Sequence, residues 1–252
     1  MNCFIKNLVV PLLLAVGICE YAHAERAHGN QTESAPDAKT SRKEKESEYA
    51  VAERGANHRV WAKVTWETNA VGRIKAITNS YIELATGMHF KNKRGKWDES
   101  KEQIEILPNN AGAVADKGQH KVIFPPEIKS GIIELQMPDK KWMRSRVWGL
   151  AYFDTATGES VLLAEVKESE GRVVGDNVVV YPNAFTDFVA DIRYTYTRAG
   201  FEQDVVLREQ PPAPEKFGLN SRTTRLQVLT EFVEAGQPQK NHRHAGKLPD
   251  ET

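Results

Sequence analysis

Val147-Trp148-Gly149-Leu150-Ala151-Tyr152-Phe153 runs into Asp154-Thr155-Ala156-Thr157-Gly158, and Ser160-Val161-Leu162-Leu163-Ala164-Glu165-Val166 returns. Two apolar runs of strand length joined by a short polar stretch predict an antiparallel hairpin. Asp154 can accept hydrogen bonds from the backbone just after it, and Gly158 can take the positive φ that closes such a loop. Both strands are apolar on both faces, which predicts a central position with both sides covered.

Working outward, the same grammar repeats. Val60-Trp61-Ala62-Lys63-Val64-Thr65-Trp66 alternates, Tyr81-Ile82-Glu83-Leu84 stops at Thr86-Gly87, and Gln103-Ile104-Glu105-Ile106-Leu107 stops at Pro108-Asn109-Asn110. His120-Lys121-Val122-Ile123-Phe124 ends at Pro125-Pro126, and Ile132-Ile133-Glu134-Leu135-Gln136-Met137 at Pro138-Asp139. Short alternating runs bounded by turn formers are strands, and their number predicts an all-β, antiparallel, sandwich-like domain. A second hairpin spans residues 187–208 around Ala199-Gly200. With a two-residue turn, Ile192 pairs with Leu207, Tyr194 with Val205 and Tyr196 with Gln203 on an apolar face. The other face sets Asp191 against Arg208 and Thr195 against Asp204. Ala conflicts with the positive φ of the common primed turns.

The ends read differently. Lys6 precedes an uncharged apolar run from Leu8 to Cys19, and Ala22-His23-Ala24 offers small residues where a signal peptidase reads. The run is far shorter than the ~20 residues of a membrane-spanning helix. Residues 1–24 are therefore expected to be a signal peptide cleaved after Ala24, and the protein to be exported to the periplasm, the cell surface or the medium. Residues 25–57 are rich in Ser, Lys, Glu and Ala with almost nothing bulky to bury, which predicts a disordered charged linker. The sandwich-like domain is expected over 58–236 and a disordered tail over 237–252.

Both cysteines, Cys3 and Cys19, fall in the expected signal segment, so the mature chain would have no disulfide, no Cys-ligated metal and no Cys nucleophile. Lys plus Arg and Asp plus Glu number 34 each, and signal removal takes away Lys6 and Glu20 together. A chain this close to neutral has no broad basic field for nucleic acid.

Chemistry is sparse. HExxH, a Walker loop, G-x-S-x-G and a dinucleotide fingerprint are all missing from the sequence. His242-x-His244 offers two imidazoles in a tail, fewer than a zinc site needs, so no metal and no cofactor are expected. Asp187, Asp191, Glu202 and Asp204 cluster in the second hairpin. Asp191 and Asp204 form the one conceivable glycosidase-like carboxylate pair, although a cross-strand charge ladder explains them too. Trp61 and Trp148 lie in apolar runs and read as core. Trp97 and Trp142, flanked by Lys96, Asp98, Lys140 and Lys141, are the candidates for an exposed sugar-stacking platform.

The stretches Asp187-Phe188-Val189-Ala190-Asp191-Ile192-Arg193-Tyr194-Thr195-Tyr196 and Phe201-Glu202-Gln203-Asp204-Val205-Val206-Leu207-Arg208 resemble a region near the N-termini of large exported bacterial proteins. Gly95-Lys96-Trp97-Asp98-Glu99-Ser100 and Thr223-Thr224-Arg225-Leu226-Gln227-Val228-Leu229-Thr230-Glu231-Phe232 are similar to the same region. Many such proteins come from Verrucomicrobia-type bacteria, and some carry RHS/YD repeats further on. The similarity covers most of 78–232 and brings no family active site with it. It implies a truncated N-terminal part of a longer chain, since relatives usually continue for hundreds of residues. The expectation is a non-catalytic scaffold or recognition module, with a glycan or cell-envelope component as partner. The alternative is a carbohydrate-active enzyme using Asp191 and Asp204.

Overall fold

A computed structural model describes residues 48–235. These residues are all-β: sixteen strands, all paired antiparallel, and one short 3₁₀ turn at Pro214–Phe217. In chain order, β1 (Ala50–Gly55), β2 (His58–Thr68) and β3 (Ile74–Leu84) form a three-stranded ribbon, and β4 (His89–Lys91) pairs with β5 (Trp97–Glu99). A seven-stranded sheet contains β6 (Glu105–Ile106), β7 (Ala113–Ala115), β8 (Lys121–Phe124), β9 (Ile133–Gln136), β10 (Trp142–Asp154) and β11 (Ser160–Glu165). A four-stranded sheet runs β12 (Arg172–Val174), β13 (Val178–Tyr181), β14 (Ala190–Tyr196) and β15 (Phe201–Leu207). Finally β16 (Thr224–Glu234) returns to the larger sheet and pairs with β10 along almost its whole length.

The inner faces of the two larger sheets make one core. Val122, Phe124, Ile133, Leu150, Tyr152 and Ala164 come from one side, and Val179, Tyr181, Ala190, Ile192, Tyr194 and Tyr196 from the other. Aromatic rings fill its centre: Tyr194 stacks on Phe201 at 5.5 Å and meets Tyr181 edge-on at 6.1 Å. Two of the tyrosine hydroxyls reach backbone acceptors, Tyr181 on Pro125 O at 2.7 Å and Tyr196 on His120 O at 3.1 Å. The Tyr194 hydroxyl is buried with no hydrogen-bond partner among the described residues. Burial favours the neutral phenol, so all three are pushed up, Tyr196 to about 12 and the other two further.

The first hairpin forms as its sequence demands. Asp154 accepts from Ala156 N at 2.8 Å, Gly158 N bonds Asp154 O at 2.8 Å, and Gly158 takes φ 79°. The Ala156 amide leads the hydrogen bonds that hold the Asp154 carboxyl below its usual range. The coverage expected for both faces does not hold throughout. A β-bulge lies between Val147 and Gly149 in the pairing with β16, and Trp148 within it is 49% exposed rather than core. Leu162, on the edge strand β11, is also exposed.

In the second hairpin the register slips by two. Ile192 faces Val205, Tyr194 faces Gln203 and Tyr196 faces Phe201. The loop contains Thr197 to Gly200, closed by Thr197 N on Gly200 O at 2.9 Å and by Gly200 N on Thr197 Oγ1 at 3.0 Å. Neither Ala199 nor Gly200 takes the positive φ that a primed turn asks of them. A shift of two keeps each side chain on its face, so the apolar and charged faces stay as expected.

The folded region also starts earlier than residue 58. Val51 pairs with Trp61 and Arg54 with Arg59, so residues 50–55, expected as linker, are strand. They are held by backbone pairing, which composition does not register. The turn joining β1 to β2 is anchored: His89 N bonds Ala56 O at 3.2 Å, His89 Nδ1 lies 2.8 Å from Gly55 O, and Gln119 Nε2 donates to Ala56 O at 2.6 Å. The expected signal peptide, residues 25–47 of the expected linker and the tail at 237–252 lie outside the described residues.

Candidate functional site

Asp191 is buried on β14, where Arg208 donates to Oδ2 from Nε at 2.8 Å and from Nη2 at 2.6 Å. Its other oxygen accepts from Asn183 N at 2.8 Å, an amide in the loop leading from β13. Asp204 on β15 accepts from Arg193 at 2.9 and 3.2 Å. Arg193, directly opposite Asp204, takes the partner role expected of Thr195. Along this face, acid and guanidinium therefore alternate, with Arg193 on the strand between Asp191 and Thr195.

A shallow groove of about 330 Å³ runs over the same face, floored by Val174, Val178, Val180 and Val206 and edged by Asp191, Arg193 and Arg208. Its charged groups are already paired, Arg208 with Asp191 and Arg193 with Asp204. A second groove, about 340 Å³, lies where Phe124, Pro125 and Pro126 approach Gly171, Arg172 and Val173, and no carboxylate lines it. Of the other hairpin acids, Asp187 accepts from Thr186 Oγ1 at 2.5 Å and Glu202 is exposed opposite Thr195.

The two tryptophans are split between two sheets. Trp97 on β5 has the Lys91 ammonium 5.2 Å over its ring, and Trp142 on β10 has the Arg144 guanidinium at 5.6 Å. The rings sit in different sheets, each partly buried with a cation already against it. Trp61 is half-buried and stacked with Tyr81 at 6.3 Å. His242, His244, Ala22 and Ala24 lie outside the described residues. Among the described residues no His, Cys, Asp and Glu group of three or more is arranged to hold a metal ion.

Sequence reasoning missed the most exposed apolar feature. The β2–β3 ribbon is in register from His58 opposite Leu84 to Thr68 opposite Ile74. One face carries Val60, Val64, Trp66, Ala76, Ile74 and Ile82. The other carries Arg59, Lys63, Glu67, Lys75 and Glu83 around the Trp61–Tyr81 stack. Trp66 is 61%, Val71 82% and Ile74 67% exposed. The tip that presents them is fixed by one side chain: Asn69 Oδ1 accepts from Val71 N at 3.0 Å and Arg73 N at 2.8 Å, while Asn69 N bonds Arg73 O at 2.9 Å. An aliphatic Val inside Asn69-Ala70-Val71-Gly72, where turns are ordinarily polar, was the available signal.

The described fold and its candidate positions therefore define a class: a layered antiparallel β protein with ion-paired acids and one long, two-faced ribbon. In comparison with known proteins, no family model, no curated protein and no solved structure matches this chain.

Proposed function

We propose that this chain is a non-catalytic recognition or scaffold module of an exported bacterial protein. The observation that supports this most directly is the state of Asp191. Two guanidinium hydrogen bonds and one backbone amide hold it in the body of the sheet, and Asp204 is tied to Arg193. A glycosidase pair needs one carboxyl free to give a proton to the leaving oxygen and another facing the sugar. Here both acids serve the fold. The exposed apolar side chains of the ribbon, by contrast, are what a binding surface offers. The composition of the N-terminal segment and the similarity to exported bacterial chains support the export part of the reading. Among the described residues no helix is long and apolar enough to cross a membrane.

The experiment is a pair of substitutions, Asp191→Asn and Asp204→Asn, read by polysaccharide hydrolysis and by thermal melting. The module reading expects no turnover from the unaltered chain. It expects Asp191→Asn to cost about 2 kcal/mol, the value of charge-assisted hydrogen bonds left without their charge. That corresponds to a melting point lower by about 6 °C. Asp204→Asn, at an exposed pair, should cost under about 1 kcal/mol. Hydrolysis by the unaltered chain that either substitution abolishes would replace this reading with the carbohydrate-active one.

A further inference from the structure

We propose that the open edge of β3 is an interface for a second copy of this chain, two β3 strands pairing antiparallel about a two-fold axis at Asn79. The pairing is a property of one strand edge and is independent of whether the chain is a recognition module. Asn69 N bonds Arg73 O at one end of the β2–β3 ribbon, and Ala85 N bonds Asn57 O at the other. By the alternation of an antiparallel ladder, the odd-numbered residues of β3 bond β2. The even-numbered ones, from Ile74 to Leu84, turn N–H and C=O outward. Among the described residues no strand takes up that edge. It is also undefended. Its eleven residues contain no Pro and no Gly, and their register with β2 is unbroken. At other sheet edges β6 and β12 are two and three residues long, and β1 carries a bulge between Val51 and Glu53. Short, bulged or Pro-bearing edges resist pairing, whereas a long regular one is a template for another strand.

The occupant follows from the sequence of β3, which is complementary to itself. With Asn79 on the axis all eleven residues overlap: Ile74 faces Leu84 of the second copy, Ala76 faces Ile82, Ile77 faces Tyr81 and Thr78 faces Ser80. Lys75 faces Glu83, twice by symmetry. Lys75 also stands opposite Glu67 on its own β2, and Glu83 opposite Arg59. Each half of the interface therefore carries a ladder of acid, cation, acid, cation across four strands, with opposite signs at every step. Trp61 Nε1 donates to Glu83 at 2.8 Å and holds the carboxylate on this face. Sliding the strands by two residues sets Lys75 against Tyr81 in one direction and Glu83 against Ile77 in the other. In the matched register the outward groups supply about twelve main-chain hydrogen bonds. Such bonds carry the affinity of strand addition, and the facing side chains fix its register. The joined sheet ends on both sides in β1, short and bulged, so the contact closes as a dimer.

The test is sedimentation velocity over a range of micromolar concentrations, on the chain purified after export from a bacterial host. The unaltered chain is expected to be a dimer. Ser80→Pro removes an outward N–H without touching the bonds to β2, and should leave a monomer. Lys75→Glu and Glu83→Lys each bring like charges together at both ends of the interface, and each should weaken the dimer about thirtyfold. Mixed in equal parts, these two variants should recover it, because every altered side chain then meets the opposite sign. Asn79→Cys should form a disulfide between two copies on mild oxidation, identified by the mass of the linked peptide. A non-hydrogen-bonded pair on the axis sets its Cα atoms about 4.5 Å apart, within disulfide reach. Ser80→Cys should not link, since its counterpart lies two residues further along. Circular dichroism checks that each variant keeps its strands. If Ser80→Pro fails to fold, the charge variants and the disulfide decide. An unaltered chain that is monomeric throughout overturns the proposal and leaves the edge to a strand of some other protein. A dimer that folded Ser80→Pro leaves intact, or that links through Ser80→Cys and not Asn79→Cys, overturns it as well. So does a mixture of the charge variants that associates no better than either alone.

Discussion

β14 and the β2–β3 ribbon are written in the same alternating pattern and end in opposite environments. On β14, Ala190, Ile192, Tyr194 and Tyr196 point into the sandwich and are all fully buried. On the ribbon, Val64, Trp66, Ile74 and Ile82 alternate just as strictly and face solvent. Period-two alternation makes a strand with one apolar face, but it does not supply a second layer to cover that face. β14 has the seven-stranded sheet opposite it. Beyond Ala62, among the described residues, no third strand pairs with the ribbon. Stability should therefore be concentrated in the sandwich, while Trp66, Val71 and Ile74 stay exposed on the ribbon.

The largest effect that tests this contrast is alkaline. Tyr181, Tyr194 and Tyr196 hold their protons in the native state to a higher pH than the ordinary value of 10, Tyr196 to about 12. Between those values the native state binds more protons than the unfolded chain. Stability present in full below pH 10 is then lost as pH rises through this window, by about 1.4 kcal/mol per pH unit for each such tyrosine. Melts followed from about pH 9 to about pH 12 should show a steep fall, with phenolate absorbance of these residues appearing only as the sandwich unfolds. Full phenolate absorbance near pH 10, with native circular dichroism intact, would mean that the core is not closed to solvent as described.

A matched pair of substitutions sharpens the contrast within one residue type. Ile192→Ala removes a fully buried side chain between two sheets and should cost about 3 to 4 kcal/mol. Ile74→Ala removes a side chain that is two-thirds exposed and should change stability by less than about 0.5 kcal/mol. Chemical denaturation measures both. Similar losses at the two positions would show that the ribbon face is covered in solution, and the comparison would collapse.

The sequence carried the strands and their faces better than their exact neighbours. Asp154 and Gly158 announced their loop because each acts on backbone within four residues of itself. The register around Ala199-Gly200 was off by two because Thr197 closes a longer loop with its hydroxyl, an option that a dipeptide rule does not weigh. Trp148 was read as core because a bulge changes the phase of alternation after it is set, and a bulge in β10 arises from its pairing with β16, dozens of residues away. The acids of the candidate site were legible as a charge ladder, and Arg208 was correctly assigned to Asp191. Asn183 was not, since its amide reaches Asp191 only through the backbone of another loop. The ribbon tip was missed for a different reason: its strands looked like any other pair, and the one cue in the sequence was Val71 inside an otherwise turn-like stretch.

The smallest effect concerns two hydroxyls on alternate residues of β14. Tyr194 buries its hydroxyl without a partner among the described residues, and Tyr196 donates to His120 O. Removing an unpaired buried hydroxyl returns its desolvation cost, whereas removing a paired one strands the acceptor. Tyr194→Phe should therefore raise stability by about 1 kcal/mol, and Tyr196→Phe should lower it by about the same amount. The ring packing of both residues, against Phe201 and His120, stays in place in either variant. Opposite signs from one chemical change on one strand isolate the hydrogen bond from the packing. A loss at Tyr194 equal to that at Tyr196 would show that its hydroxyl has found a partner, and that this part of the sandwich admits water as the ribbon does.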